Sequence, residues 1–79
     1  MIEVKKDSEF TVLVADLIEF LSGCEEFVLK VWLSTELPLI LTDEYDFLFM
    51  QEGLKITTSD GKKTRYIWYD EIKMFEVIK

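Results

Sequence analysis

The chain has 79 residues, which fits one domain near the lower size limit for folding alone. Its 16 acidic and 9 basic residues give a net charge of −7, which disfavours nucleic acid and anionic membranes, since both demand positive charge. With no histidine and one cysteine, Cys24, it offers no Cys–His or Ser–His pair, no ordinary zinc site and no intramolecular disulfide.

Residues 1–6 form either a frayed arm or, since Ile2 and Val4 alternate with charged side chains, an added edge strand. No long apolar segment follows Lys5 and Lys6. The N-terminus therefore does not read as a signal peptide, and a cytoplasmic location is expected. Asp7 or Ser8 can cap a helix, and Glu9 suits its positive end. Phe10, Leu13, Val14, Leu17, Ile18 and Leu21 recur every three or four residues, which predicts a helix over 8–22 that Gly23 ends. Thr11, Val12 and Val14 lower helix propensity, so a strand at 10–14 is the competing reading. Val12 and Phe20 widen the apolar stripe, so cover on more than one side of the helix is expected.

Phe27, Leu29, Val31 and Leu33 alternate with Val28, Lys30, Trp32 and Ser34, a strand with two largely apolar faces. A turn is expected at 34–36. Pro38 cannot donate to a ladder, so it belongs at a strand start or an edge. The stretch 39–72 organises the chain. Leu39, Ile40 and Leu41 form a strand, Asp43 and Glu44 bend it, and Phe47 to Met50 resume it. The break at Gln51, Glu52 and Gly53 reads as a bulge or a kink. A further strand follows over 54–58. Asp60-Gly61 is a strong hairpin mark that implies positive φ at both central residues. Residues 63–69 return as its partner, Asp70 and Glu71 turn, and 73–78 form the last strand. The count is one helix followed by five strands in a single domain, 1–79, with no internal repeat.

Leu39, Asp43, Leu48 and Met50 stand at the spacings of the first motif of the Sm and LSm proteins, and Ile67 and Ile72 at the ends of the second. Over about residues 29–78 the chain resembles that family. The resemblance implies a mainly β fold with one N-terminal α-helix, built as a small bent five-stranded antiparallel barrel. It also implies a non-catalytic, homo-oligomeric ring with no cofactor. In such rings the fourth and fifth strands of neighbours pair edge to edge. Those are 63–69 and 73–78 here, with Tyr66, Ile67, Phe75 and Val77 as interface candidates. The family's base-binding positions correspond to Asp43, Tyr45, Phe47, Trp68 and Tyr69. Phe47 replaces the base-holding asparagine, Trp68-Tyr69 replaces an Arg-Gly pair, and the glycines before the second strand are absent. RNA binding is therefore expected to be weak or lost. The other architecture that fits is a helix on an open antiparallel sheet, as in a fragment of a pleckstrin-like domain.

Apolar residues make up 49% of the chain and aromatics 14%, more than so small a body hides, which also predicts a homo-oligomer. Glu25-Glu26, Asp43-Glu44 with Asp46, and Asp70-Glu71 pair carboxylates. They fall in predicted turns and lack a calcium-loop pattern, so neither a metal site nor an enzyme is expected. Trp32, Tyr45, Tyr66, Trp68 and Tyr69 could stack bases, but a core or interface role is preferred. Lys55, Lys62, Lys63 and Arg65 form a candidate basic patch. Cys24 lies beside Glu25 and Glu26, which disfavour its thiolate. The second functional reading is an acidic adaptor, or a nucleic-acid mimic that blocks a basic partner protein.

Overall fold

A computed structural model of the chain describes residues 1–34 and 38–78. The elements run β1 (Ile2–Val4), α1 (Val12–Ser22), β2 (Val28–Leu33), β3 (Leu39–Thr42), β4 (Asp46–Phe49), β5 (Gly53–Thr57), β6 (Thr64–Trp68), a 3-10 turn (Tyr69–Glu71) and β7 (Ile72–Ile78). The fold is mainly β with one helix, as the periodicities predict. The strands form two sheets, ordered β1-β4-β5-β6 and β3-β2-β7. The turn expected at 34–36 lies outside the described residues at positions 35 and 36. Pro38 immediately precedes β3, where its missing N–H costs no ladder bond.

No closed barrel forms, which corrects the expectation of a single five-stranded one. The long bent strand expected over 39–50 divides at residues 43–45 into β3 and β4, which belong to different sheets. The 3-10 turn at Tyr69–Glu71 carries the chain back to the other sheet. There β7 pairs with β2, and among the described residues β6 is left paired with β5 alone. The N-terminal segment adds a further strand. β1 runs parallel to β4 with Ile2 beside Phe47, and the ladder is extended by Phe47 N–H donating to Met1 O and Lys5 N–H to Phe49 O, each 2.8 Å.

The helix starts at Val12, four residues later than expected. Thr11 is its cap, with Oγ1 accepting from Val14 N–H at 3.4 Å. Asp7 instead takes a left-handed turn, φ 64°, which ends the β1 arm and does not suit a cap. Gly23 ends the helix in right-handed geometry, φ −87°, with its N–H on Glu19 O. Val14, Leu17 and Leu21 enter the core, whereas Val12 is 78% and Phe20 54% exposed. The helix is therefore covered on one side only, against expectation, because no element packs over its other face among the described residues.

The core lies between the two inner sheet faces and the helix. Leu29, Val31 and Leu33 of β2 face Phe47 and Phe49 of β4, Leu54 and Ile56 of β5, and Ile67 of β6 within one cluster. Phe27 and Phe47 meet with ring centroids 5.8 Å apart. Each such side chain contributes roughly 1.5–3 kcal/mol of burial. No polar or charged side chain is buried among the described residues. None of their helices is long and apolar enough to cross a membrane.

Candidate functional site

Strand parity decides which of the expected base-binding residues reach the surface. Phe47 alternates with exposed Asp46 and points inward, 1% exposed, so it is a core residue and offers nothing to a base. Asp43 holds the bend, its Oδ1 accepting from Phe27 N–H at 3.4 Å. Tyr45 is half-buried against the core. Tyr69 donates its hydroxyl to Met50 O at 2.6 Å and meets Phe10 edge-on at 6.2 Å. Burial pushes that hydroxyl's pKa up to about 12. Trp68 alone stands out, 57% exposed. Asp43 and Tyr45 precede β4, while Trp68 and Tyr69 sit by the turn that follows it. The length of β4, about 13 Å for four residues at ~3.3 Å each, separates the two groups. The five positions do not converge.

The same parity sorts the four interface candidates. Tyr66 faces out, 62% exposed, but Ile67 is buried in the core. Phe75 and Val77 are half-buried, paired with inward-facing Val31 and Leu29. The exposed apolar residues of β7 are instead Met74 and Ile78. Sequence reasoning saw the alternation of β7 but not which half faced in; a shift of one residue exchanges the two sets.

Two recesses mark the surface around β5 and β6. The first, about 290 Å³, is lined by Lys5, Met50, Gly53, Tyr66 and Trp68. Its floor exists because Gly53 has no side chain. A Cβ there would lie 2.7 Å from Ile67 O, so β6 can pass this closely only over glycine.

The second recess, about 610 Å³, lies where the end of the β5–β6 hairpin stands off from β3. Leu39, Leu41, Tyr45 and Ile56 make its apolar part, and Lys62, Lys63 and Arg65 its cationic part. Residues 58–65 fold locally. Gly61 N–H reaches Thr58 O at 2.9 Å, and Gly61 alone takes positive φ, 75°. Asp60 keeps negative φ, which corrects the expected turn type, and its Oδ1 accepts from Thr58 Oγ1 and Lys62 N–H at 2.6 and 2.9 Å. These bonds, the Thr58 one foremost, hold the Asp60 carboxyl below its ordinary pKa. The basic patch read from sequence loses Lys55, which pairs with Tyr66 on the opposite sheet face.

Of the paired carboxylates, Glu25 and Asp43 line one recess and Asp46 another. Glu25, Glu26, Glu44, Asp46 and Asp70 are exposed, and Asp46 pairs with the N-terminal ammonium at 3.3 Å. Among the described residues no three Cys, Asp or Glu side chains gather as metal ligands would. Comparison with models of protein families, with curated proteins and with solved structures finds no match to this chain.

Proposed function

We propose that the protein is a non-catalytic, Sm-like subunit that assembles with copies of itself into a ring through the edges of β6 and β7. One observation carries this reading. Both strands end their sheets with one edge unpaired among the described residues, and the 3-10 turn between them holds them apart within one chain. An open edge is a template for another strand. Pairing β6 of one copy with β7 of the next joins the two sheets across the contact. Repeated head to tail, such a contact closes into a ring when the rotation allows.

Length and charge favour these edges over the others. β7 has seven residues and β6 five, against three in β1 and four in β3. Over β6 and β7 the charged residues are Arg65, Lys73 and Glu76, a sum of +1, in a chain of net −7. The charge that opposes association thus lies elsewhere. Tyr66, Trp68, Met74 and Ile78 supply exposed apolar surface beside both edges.

RNA binding is weak in this reading. Phe47 is in the core, the other family-equivalent positions lie in two groups at opposite ends of β4, and the excess of carboxylates grows with every subunit added. Sedimentation and light scattering across a wide concentration range test the assembly. The wild type is expected to be a multimer, and Tyr66→Lys with Met74→Lys to shift it toward monomer, since charge blunts an edge. A monomer mass for the wild type at every concentration rejects the proposal. Submicromolar, uridine-selective binding in fluorescence anisotropy rejects its RNA part.

A further inference from the structure

We infer that the recess between β3 and the β5–β6 hairpin is a docking site for an extended, carboxylate-bearing peptide, which adds as a strand along the free edge of β3.

Three independent features meet there. The first is the backbone. β3 pairs with β2 on one side, and no strand pairs with its other side among the described residues. Every second residue of that edge directs an N–H and a C=O away from β2, the arrangement that strand addition uses. The second is the floor. Leu39, Leu41, Tyr45 and Ile56 line about 610 Å³, room for the alternate apolar side chains of a short strand. The third is charge. Residues 58–63 hold Lys62 and Lys63 against one carboxylate, Asp60, and both lysines line the recess. In a protein of net −7 this is a local reversal of sign. It selects an occupant of opposite charge and steers its approach.

The occupant is a peptide rather than a nucleic acid for two reasons. Two lysines neutralise few phosphates, while the chain's net charge of −7 repels a polyanion. A free strand edge is complementary to a backbone of amides, which a nucleic acid lacks. The turn that carries Lys62 and Lys63 is also preset. Thr58 N–H reaches Lys63 O at 2.9 Å and Lys63 N–H reaches Thr58 Oγ1 at 3.2 Å, so the cationic side does not have to be ordered on binding. The site takes its backbone pairing from β3 and borders the start of β6 at Thr64 and Arg65, so it meets one end of an edge proposed for self-assembly.

The test uses the full isotope-labelled chain and an acetylated Glu-Val-Glu-Val-Glu-Val amide as probe, followed by NMR amide shifts and by anisotropy. Its comparators are the Lys-Val counterpart, the acidic peptide N-methylated at alternate residues, and octa-uridine. The acidic peptide is expected to shift amides in β3 and at residues 62–65, and the three comparators to bind at least about tenfold more weakly, a difference of about 1.4 kcal/mol. Lys62→Glu with Lys63→Glu should weaken the acidic peptide by about tenfold or more, since each reversed rim charge turns attraction into repulsion. Both side chains are exposed, so a melting curve like the wild type's is expected for the double variant. Absence of shifts at millimolar peptide overturns the proposal. So does equal binding of the Lys-Val or the N-methylated peptide, tighter binding of octa-uridine, or an unchanged affinity in the double variant.

Discussion

The two ends of β5 are closed by different physics. At its far end the chain turns within residues 58–63 on bonds from inside the turn: Gly61 N–H to Thr58 O, Thr58 N–H to Lys63 O, and the bonds of the Asp60 carboxylate. At its near end residues 50–53 turn with no positive φ at Gln51 or Glu52, so this is not one of the primed turns whose twist suits a hairpin. That turn has one bond of its own, Met50 N–H to Gly53 O at 2.9 Å, and its other bonds come from outside. Tyr69 donates its hydroxyl to Met50 O and its N–H to Glu52 O, and Gln51 exchanges two hydrogen bonds with the backbone of Glu9. Each turn needs its glycine, but for opposite reasons. Gly61 supplies φ 75° in open space, whereas Gly53 supplies room against β6. A local turn can form before the fold exists. The other gains most of its hydrogen bonds only once residues 9 and 69 have arrived.

The largest effect that separates the two is expected from Gly53→Ala. A methyl group 2.7 Å from Ile67 O forces β5 and β6 apart and should cost about 2–3 kcal/mol. Gly61→Ala meets nothing within 4 Å and should cost only the conformational strain, about 1 kcal/mol. Urea titrations of both variants measure the difference. Equal costs would break the contrast between the two ends.

Tyr69→Phe comes between them, at about 1.5 kcal/mol, because Met50 O loses its donor in a half-buried position. It carries a pH signature as well. The folded hydroxyl's pKa is raised from 10.0 to about 12, so the unfolded chain ionises first. The contribution is full below pH 10 and is lost as pH rises from 10 through about 12. Comparing wild type with Tyr69→Phe through that window isolates it. A stability gap that stays constant with pH there would remove the role assigned to Tyr69.

The smallest effect is expected from Asp60→Ala, in a fully exposed turn. The folded carboxyl's pKa is lowered, so its contribution is present above the ordinary value of 3.8 and fades as pH falls below it. Thermal melts of wild type and variant should differ slightly at neutral pH and converge in acid. A neutral-pH gap as large as that of Gly53→Ala would contradict the account of a self-contained turn.

The sequence by itself determined the helix, the strand segments and the Asp60-Gly61 turn, because each is set by residues within a few positions of one another. The apolar repeat over 10–21 specifies a helix, and the alternations around Leu29, Ile56 and Ile67 specify strands whatever they later pack against. Tertiary structure alone decided the rest. It split 39–50 between two sheets, set β1 beside β4, and left Val12 and Phe20 in solvent. It chose which half of each alternation faces inward, and so placed Phe47 and Ile67 in the core and Met74 and Ile78 outside. It also brought Leu39 and Tyr45 beside Lys62, Lys63 and Arg65 in one recess. The reason is physical. Alternation fixes a strand but not its facing, and facing is settled when a sheet finds its partners. Those partners lie far along the chain, 19 residues apart for Tyr69 and Met50 and 42 for Gln51 and Glu9, distances over which no local preference reaches.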